Sequence, residues 1–134
     1  MSAVAPVAAP IPPRRDLAGP ALRAFFQIAK RWQLNTEQER QLLGSPGRST
    51  YFRWKRDQRG PVPHDVLERI SYLLGIYKAL HILFPDDAQA DTWIKRDNAA
   101  PLFGGGSALE RMLGGQVADL FVVRQYLDAQ RGWS

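Results

Sequence analysis

Apolar residues recur along this chain at helical spacing, and nowhere do they alternate as in a strand. Leu22, Phe25, Phe26, Ala29 and Trp32 fall three and four apart, which predicts a helix over 21–32 with one buried stripe. Thr36 and Glu39 form a Thr-x-x-Glu capping box ahead of Leu42 and Leu43, so a second helix is expected over 36–44. Gly44-Ser45-Pro46-Gly47 reads as a turn. A short helix follows over 49–57, with Tyr51 and Trp54 facing the core, and Arg59-Gly60-Pro61-Val62-Pro63 ends it.

The next stripe is long. Val66, Leu67, Ile70, Leu73, Leu74, Ile76, Leu80 and Leu83 predict a helix over 64–84, with a kink or break at Gly75 and a stop at Pro85. Asp86-Asp87 caps a helix over 88–96 anchored by Trp93 and Ile94. Beyond a loop and the Gly104-Gly105-Gly106 turn, Ser107 and Glu110 form a second capping box on a short helix closed by Gly114-Gly115. The last helix covers 116–130. Its apolar residues, Val117, Leu120, Phe121, Val122, Val123, Tyr126 and Leu127, spread around the helix, so cover is expected on several sides, in part from a second polypeptide; the plainer alternative is a central helix wrapped by its own chain. The expected fold is all-α. Residues 1–20 carry Pro6, Pro10, Pro12, Pro13 and Pro20 and read as an extended or disordered arm.

Charge divides the chain. Residues 1–63 hold eleven Lys/Arg against four Asp/Glu, a balance of +7, whereas residues 64–134 hold seven against nine, a balance of −2. A polyanionic partner is therefore expected for the first half alone. Helix, glycine-containing turn and short basic helix is the order of a helix-turn-helix. On the short helix Ser49, Arg53 and Arg56 share the face opposite Tyr51 and Trp54, with Arg48, Thr50, Lys55 and Arg59 beside it. Guanidinium and hydroxyl groups there suit phosphates and guanine edges of double-stranded DNA. The plainer reading is a solvated basic helix.

Other chemistry finds little support. The two histidines, His64 and His81, have no carboxylate at a spacing that marks a triad or a metal site. Gly104-Gly105-Gly106 follows no strand and precedes no Lys-Ser/Thr pair, so a close helix turn is favoured over a phosphate cradle. No enzyme, metal or cofactor is expected. With no cysteine, no apolar run of membrane-spanning length and no secretory signal pattern, a cytoplasmic location is expected.

Three segments carry a longer pattern: Trp93-Ile94 with Asn98, Pro101-Leu102-Phe103-Gly104-Gly105-Gly106-Ser107-Ala108-Leu109, and Val123-Arg124-Gln125-Tyr126-Leu127-Asp128 running on to Gly132. In this order they resemble the toxin-binding domain of the MbcA/ParS/Xre antitoxin family, over roughly residues 64–134. The preceding helices resemble that family's Xre-like helix-turn-helix head more loosely. The resemblance implies a division into a 1–20 arm, a 21–63 DNA-binding region and a 64–134 helical toxin-binding and dimerisation lobe. It implies an antitoxin that blocks the active site of a RES-domain toxin, which consumes NAD or transfers from it. It also implies repression of the shared operon through operator DNA, and an antitoxin homodimer inside a larger heteromeric complex. Carried onto this chain, the toxin-facing set is Arg124, Tyr126, Asp128, Arg131 and Trp133. An arginine and an indole suit a cleft built for a dinucleotide. Residues 1–20 match no part of the family pattern. The competing expectation is a stand-alone dimeric helix-turn-helix repressor, which leaves the many-sided last helix to dimerisation alone.

Overall fold

The computed structural model describes residues 14–132. Among them seven α-helices form and no strand does, apart from an isolated bridge between Asp97 and Ser107. The helices are α1 (Arg14–Arg31), α2 (Thr36–Leu42), α3 (Arg48–Asp57), α4 (His64–Leu83), α5 (Asp87–Thr92), α6 (Ala108–Met112) and α7 (Val117–Gln130). Short 3₁₀ turns over Trp93–Lys95 and Pro101–Phe103 link α5 to α6. No helix among the described residues is long and apolar enough to cross a membrane.

α4 is the axis of the molecule. α1, α5 and α7 all pack against it. Val66, Ile70, Leu73, Ile76, Ala79 and Leu80 are all buried by these neighbours. Each fully buried large aliphatic side chain contributes about 1.5–3 kcal/mol, so this row supplies much of the driving force for folding. The helix runs through Gly75 without the break that is one of the two expectations there. A Cβ at Gly75 would lie 2.5 Å from Nε of Arg124 on α7. The glycine is therefore the gap through which that side chain crosses α4.

α1 begins seven residues earlier than the stripe predicts and carries Pro20 inside it. Residues 14–20 are thus helical, not extended. The part of the expected arm before Arg14 lies outside the described residues. Proline inside a helix costs about 3 kcal/mol, and tertiary packing offsets it. Ala18 is fully buried, and Gly19 runs so close to α3 that a Cβ there would meet the Gln58 carbonyl at 3.3 Å.

The start of α2 is also a correction. Asn35, not Thr36, is the N-cap. Its side chain accepts from the Gln38 amide at 2.8 Å, and the Gln38 side chain accepts from the Asn35 amide at 2.9 Å. The box moves back one residue, which frees Glu39 to turn inward, where it is buried. The second box forms as expected, with Ser107 accepting from the Glu110 amide at 3.1 Å. Asp86 caps α5 through the amides of Ala88 and Gln89, and that helix tightens to 3₁₀ at Trp93.

α7 is covered largely by its own chain, one of the two covers its pattern leaves open. Leu120, Val123 and Leu127 are buried, and Val117, Val122 and Tyr126 are half-buried. Phe121 remains 44% exposed, with its ring edge on Tyr72 of α4 at 5.8 Å. The reason is geometric. α4 and α6 both pack against α7, and Trp93 and Phe103 lie over Tyr126, so apolar residues on more than one face find cover within one chain.

Candidate functional site

The head is built from α1 to α3 and the first half of α4. Tyr51 and Trp54, fully or almost fully buried, seat α3 in its core. The Trp54 indole donates to the Pro61 carbonyl at 3.2 Å, which ties α3 to the segment that follows it. The Tyr51 hydroxyl donates to Glu39 of α2, and Lys55 donates to the same carboxylate oxygen at 3.1 Å. This trio, with Tyr51 and Glu39 buried and Lys55 partly exposed, ties α3 to α2. Burial, then the bond to Glu39, raises the Tyr51 pKa above its ordinary value. For Lys55 burial pulls downward, but the hydrogen bond and charge of Glu39 outweigh it and the net shift is upward.

Seating α3 this way sorts the expected DNA-facing residues. Arg48, Ser49, Arg53 and Arg56 are all exposed on its outer face. Arg48 also donates to Glu37 at 2.7 Å and lies over the Phe52 ring at 5.5 Å. Arg56 pairs with Asp57 at 2.9 Å, and this bond holds the Asp57 carboxyl below its usual range. Glu37 is likewise lowered, first by its hydrogen bond to Arg40 and then by Arg48. Arg59 is exposed beyond the end of α3, after Gln58 turns the chain through a left-handed conformation. Two residues sit differently from the rest. Lys55 is turned toward Glu39, with under half its side chain exposed, and Thr50 is half-buried. Thr50 and Arg53 edge a groove of about 560 Å³ that runs between the Gly44–Gly47 turn and Pro61–Val66.

Phe52 stands on this outer face as well, outside the expected DNA-facing set. It lies one turn after Arg48 and one turn before Arg56, so its place on the outer face was readable from spacing alone. Phe52 is 43% exposed.

The second half carries the other expected set. Arg124, Asp128 and Arg131 form one ion cluster, with Asp128 3.7 Å from Arg124 and 3.5 Å from Arg131. Tyr126 is not with them. It points to the opposite side of α7, stacked on Trp93 at 6.3 Å and edge-on to Phe103 at 5.3 Å. Trp93 and Phe103 also meet edge-to-face at 6.0 Å, so three rings from three elements close one aromatic cluster. Beside it a cleft of about 240 Å³ is lined by Leu83, Phe84, Trp93, Tyr126, Leu127 and Gln130. Trp133 lies outside the described residues.

Folding also supplies partners that spacing did not disclose. The His81 ring lies between two carboxylates of the α5 region, with Nε2 2.8 Å from Asp91 and Nδ1 3.3 Å from Asp87. Arg69, buried on α4, donates to the Gly115 carbonyl at 3.1 Å and lies under the Gly44 turn. His64 is exposed at the start of α4. No group of three or more His, Asp or Glu side chains among the described residues is placed to hold a metal ion.

Comparison with known proteins agrees with this two-part layout. Residues 12–75 match the antitoxin Xre-like helix-turn-helix domain, and residues 79–132 match the antitoxin Xre/MbcA/ParS C-terminal toxin-binding domain. The first match ends at residue 75 and the second begins at residue 79, both within α4, so the two parts share that helix and no linker separates them. The chain is also 55% identical over 111 residues to the uncharacterized protein y4oB of Sinorhizobium fredii (strain NBRC 101917 / NGR234), covering 83% of this chain and 84% of that one. These likenesses point to a non-enzymatic regulator. The chain belongs to the Xre/MbcA/ParS antitoxin family, as a helix-turn-helix antitoxin of a toxin–antitoxin pair.

Proposed function

We propose that this antitoxin neutralises a co-encoded RES-domain toxin by closing its NAD-handling active site, and that its head represses the shared operon by binding operator DNA. The observation that carries the reading is the joining, through one continuous helix, of a head with an outward-facing basic α3 to a lobe matching a toxin-binding domain.

In this reading residues 64–134 hold the toxin. Arg124, Asp128 and Arg131 form a charged cluster that is only partly exposed, and Trp133 follows it in the chain. A guanidinium and an indole have the chemistry to occupy a site made for a dinucleotide phosphate and a flat ring. Tyr126 contributes from the aromatic side. Residues 21–63 take the operator, with Arg48, Ser49, Arg53, Arg56 and Arg59 toward the duplex and Thr50 and Lys55 at its margin. The working assembly is an antitoxin homodimer within a larger toxin complex.

Co-expression tests the toxin half. The full chain is expected to rescue growth from the adjacent RES-domain toxin and to retain it stoichiometrically on a column. A chain ending at Asp128, still helical by circular dichroism, is expected to lose both. Full protection by the shortened chain would remove the tail from the mechanism. For the head, Arg53→Ala is expected to weaken operator binding and flatten its salt dependence by about one phosphate contact, with toxin retention unchanged. Operator affinity that ignores both salt and this substitution would make the head structural only.

A further inference from the structure

We propose that Phe52 reads DNA sequence, packing its ring against the 5-methyl group of a thymine in the major groove. This rests on the reading that the head binds double-stranded DNA, and it names what that surface discriminates.

The argument begins with position. The outer face of α3 carries Arg48, Ser49, Phe52, Arg53 and Arg56, and Phe52 lies among these cations, between Arg48 and Arg56 in helical order. A single exposed apolar side chain is ordinary on a protein surface. The mounting of this one is not. The Arg48 guanidinium lies 5.5 Å from its centroid, and the Tyr51 ring meets it edge-to-face at 4.9 Å. Arg48 is itself held by Glu37 at 2.7 Å, and Tyr51 is held by Glu39. The phenyl group thus rests against two residues that each bond to α2, and Phe52 keeps 43% of its surface exposed.

Chemistry selects the ligand. Among the base pairs, only those containing thymine present a methyl group in the major groove, and an apolar side chain is what recognises it. The arginines and Ser49 suit phosphates and polar base edges, and none of them distinguishes thymine by apolar contact. A protein partner fits this face poorly. Burying Phe52 against apolar protein would also bury Arg48, Arg53 and Arg56, and stranded charges oppose that. A DNA duplex satisfies the ring and the cations together.

The test uses the full chain. Duplexes enriched from a random pool by the wild-type protein are remade with each thymine replaced singly by deoxyuridine, which deletes only the methyl group. Affinity is then measured for wild type, Phe52→Ala and Phe52→Leu. At one thymine per half-site the wild type is expected to lose about fourfold, the worth of one methyl group taken out of water. Phe52→Ala should bind the thymine duplex at least as weakly and be indifferent to the uracil. Phe52→Leu should keep part of the discrimination. Equal uracil effects in wild type and Phe52→Ala, or none in either, overturn the proposal and leave DNA binding standing. So does a Phe52→Ala protein with intact DNA affinity and impaired self-association or toxin retention. Failure of the wild type to enrich any duplex, with no salt-dependent binding, overturns the DNA reading and the proposal together.

Discussion

The guanidinium of Arg124 occupies the space that a side chain on Gly75 would fill: a Cβ there would lie 2.5 Å from Nε and 2.8 Å from Cδ. The packing of α7 on α4 at this point thus depends on an absence in one helix and a long side chain in the other. Alanine in place of a mid-helix glycine ordinarily gains about 1 kcal/mol. Here Gly75→Ala must displace Arg124 and its pairing with Asp128, so a net loss of about 1 kcal/mol is expected. In an Arg124→Ala background the same change should stabilise by about 1 kcal/mol. Urea denaturation of the four proteins measures the coupling, and simple additivity would show that the two residues do not compete for space.

The Tyr51–Glu39–Lys55 trio predicts alkaline sensitivity. Tyr51 is raised first by burial and then by Glu39; Lys55 is raised by Glu39 against the opposing pull of burial. Both hold their protons more tightly folded than unfolded. Their contribution is therefore complete below about pH 10 and is lost as pH climbs through the raised values. Urea midpoints should fall above about pH 10 in the wild type. Tyr51→Phe leaves the buried Glu39 short of a donor and should cost about 1–3 kcal/mol at neutral pH. It should also make the alkaline fall shallower. A parallel pH profile in the variant would place the titrating groups elsewhere.

Arg69 links the two parts from within α4. Its guanidinium donates to the Gly115 carbonyl between α6 and α7, while its stem lies against the Gly44 turn between α2 and α3. Asp65, 3.5 Å from Nε, adds an ion pair at the surface. Arg69→Ala is expected to cost about 1.5–3 kcal/mol, the range for a hydrogen bond to a charged group. Hydrogen exchange should quicken at both turns together. Faster exchange at one turn alone would mean that Arg69 serves a single part.

Tyr126 faces away from Arg124 and Asp128, so its role is separable from theirs. Tyr126→Phe keeps the stack on Trp93 and the edge contact with Phe103, and should leave stability unchanged within about 0.5 kcal/mol. Tyr126→Ala should cost about 2 kcal/mol, from lost burial and lost ring contacts. Toxin retention by both variants then sorts the hydroxyl from the ring. Weakened retention in Tyr126→Phe at full stability would assign the hydroxyl to the partner.

Which side chains are inward was largely legible from order alone. Tyr51 and Trp54 turn to the core, and Ser49, Arg53 and Arg56 turn out, because residues three and four apart share a helix face whatever surrounds them. The Ser107–Glu110 box was legible for the same reason: both partners are local. The box at the start of α2 was misplaced by one residue. Two overlapping caps were available, and the choice fell to a contact with Tyr51, twelve residues away. Pro20 was read as a boundary because local cost argued for one, while the packing of Ala18 and Gly19 outweighs that cost.

The chain by itself determined helix content, the inward and outward faces of α3, the basic first half and the ordered segments that mark the family, since all of these are properties of neighbours in sequence. Only the tertiary structure decided that Gly75 is a crossing point, that Lys55 turns to Glu39 and that His81 lies between Asp87 and Asp91. It also decided that Arg124 and Tyr126 face opposite ways, and that α7 finds most of its cover at home. Each of these depends on which groups meet across the core, and a helical repeat carries no information about what lies on the other side of it.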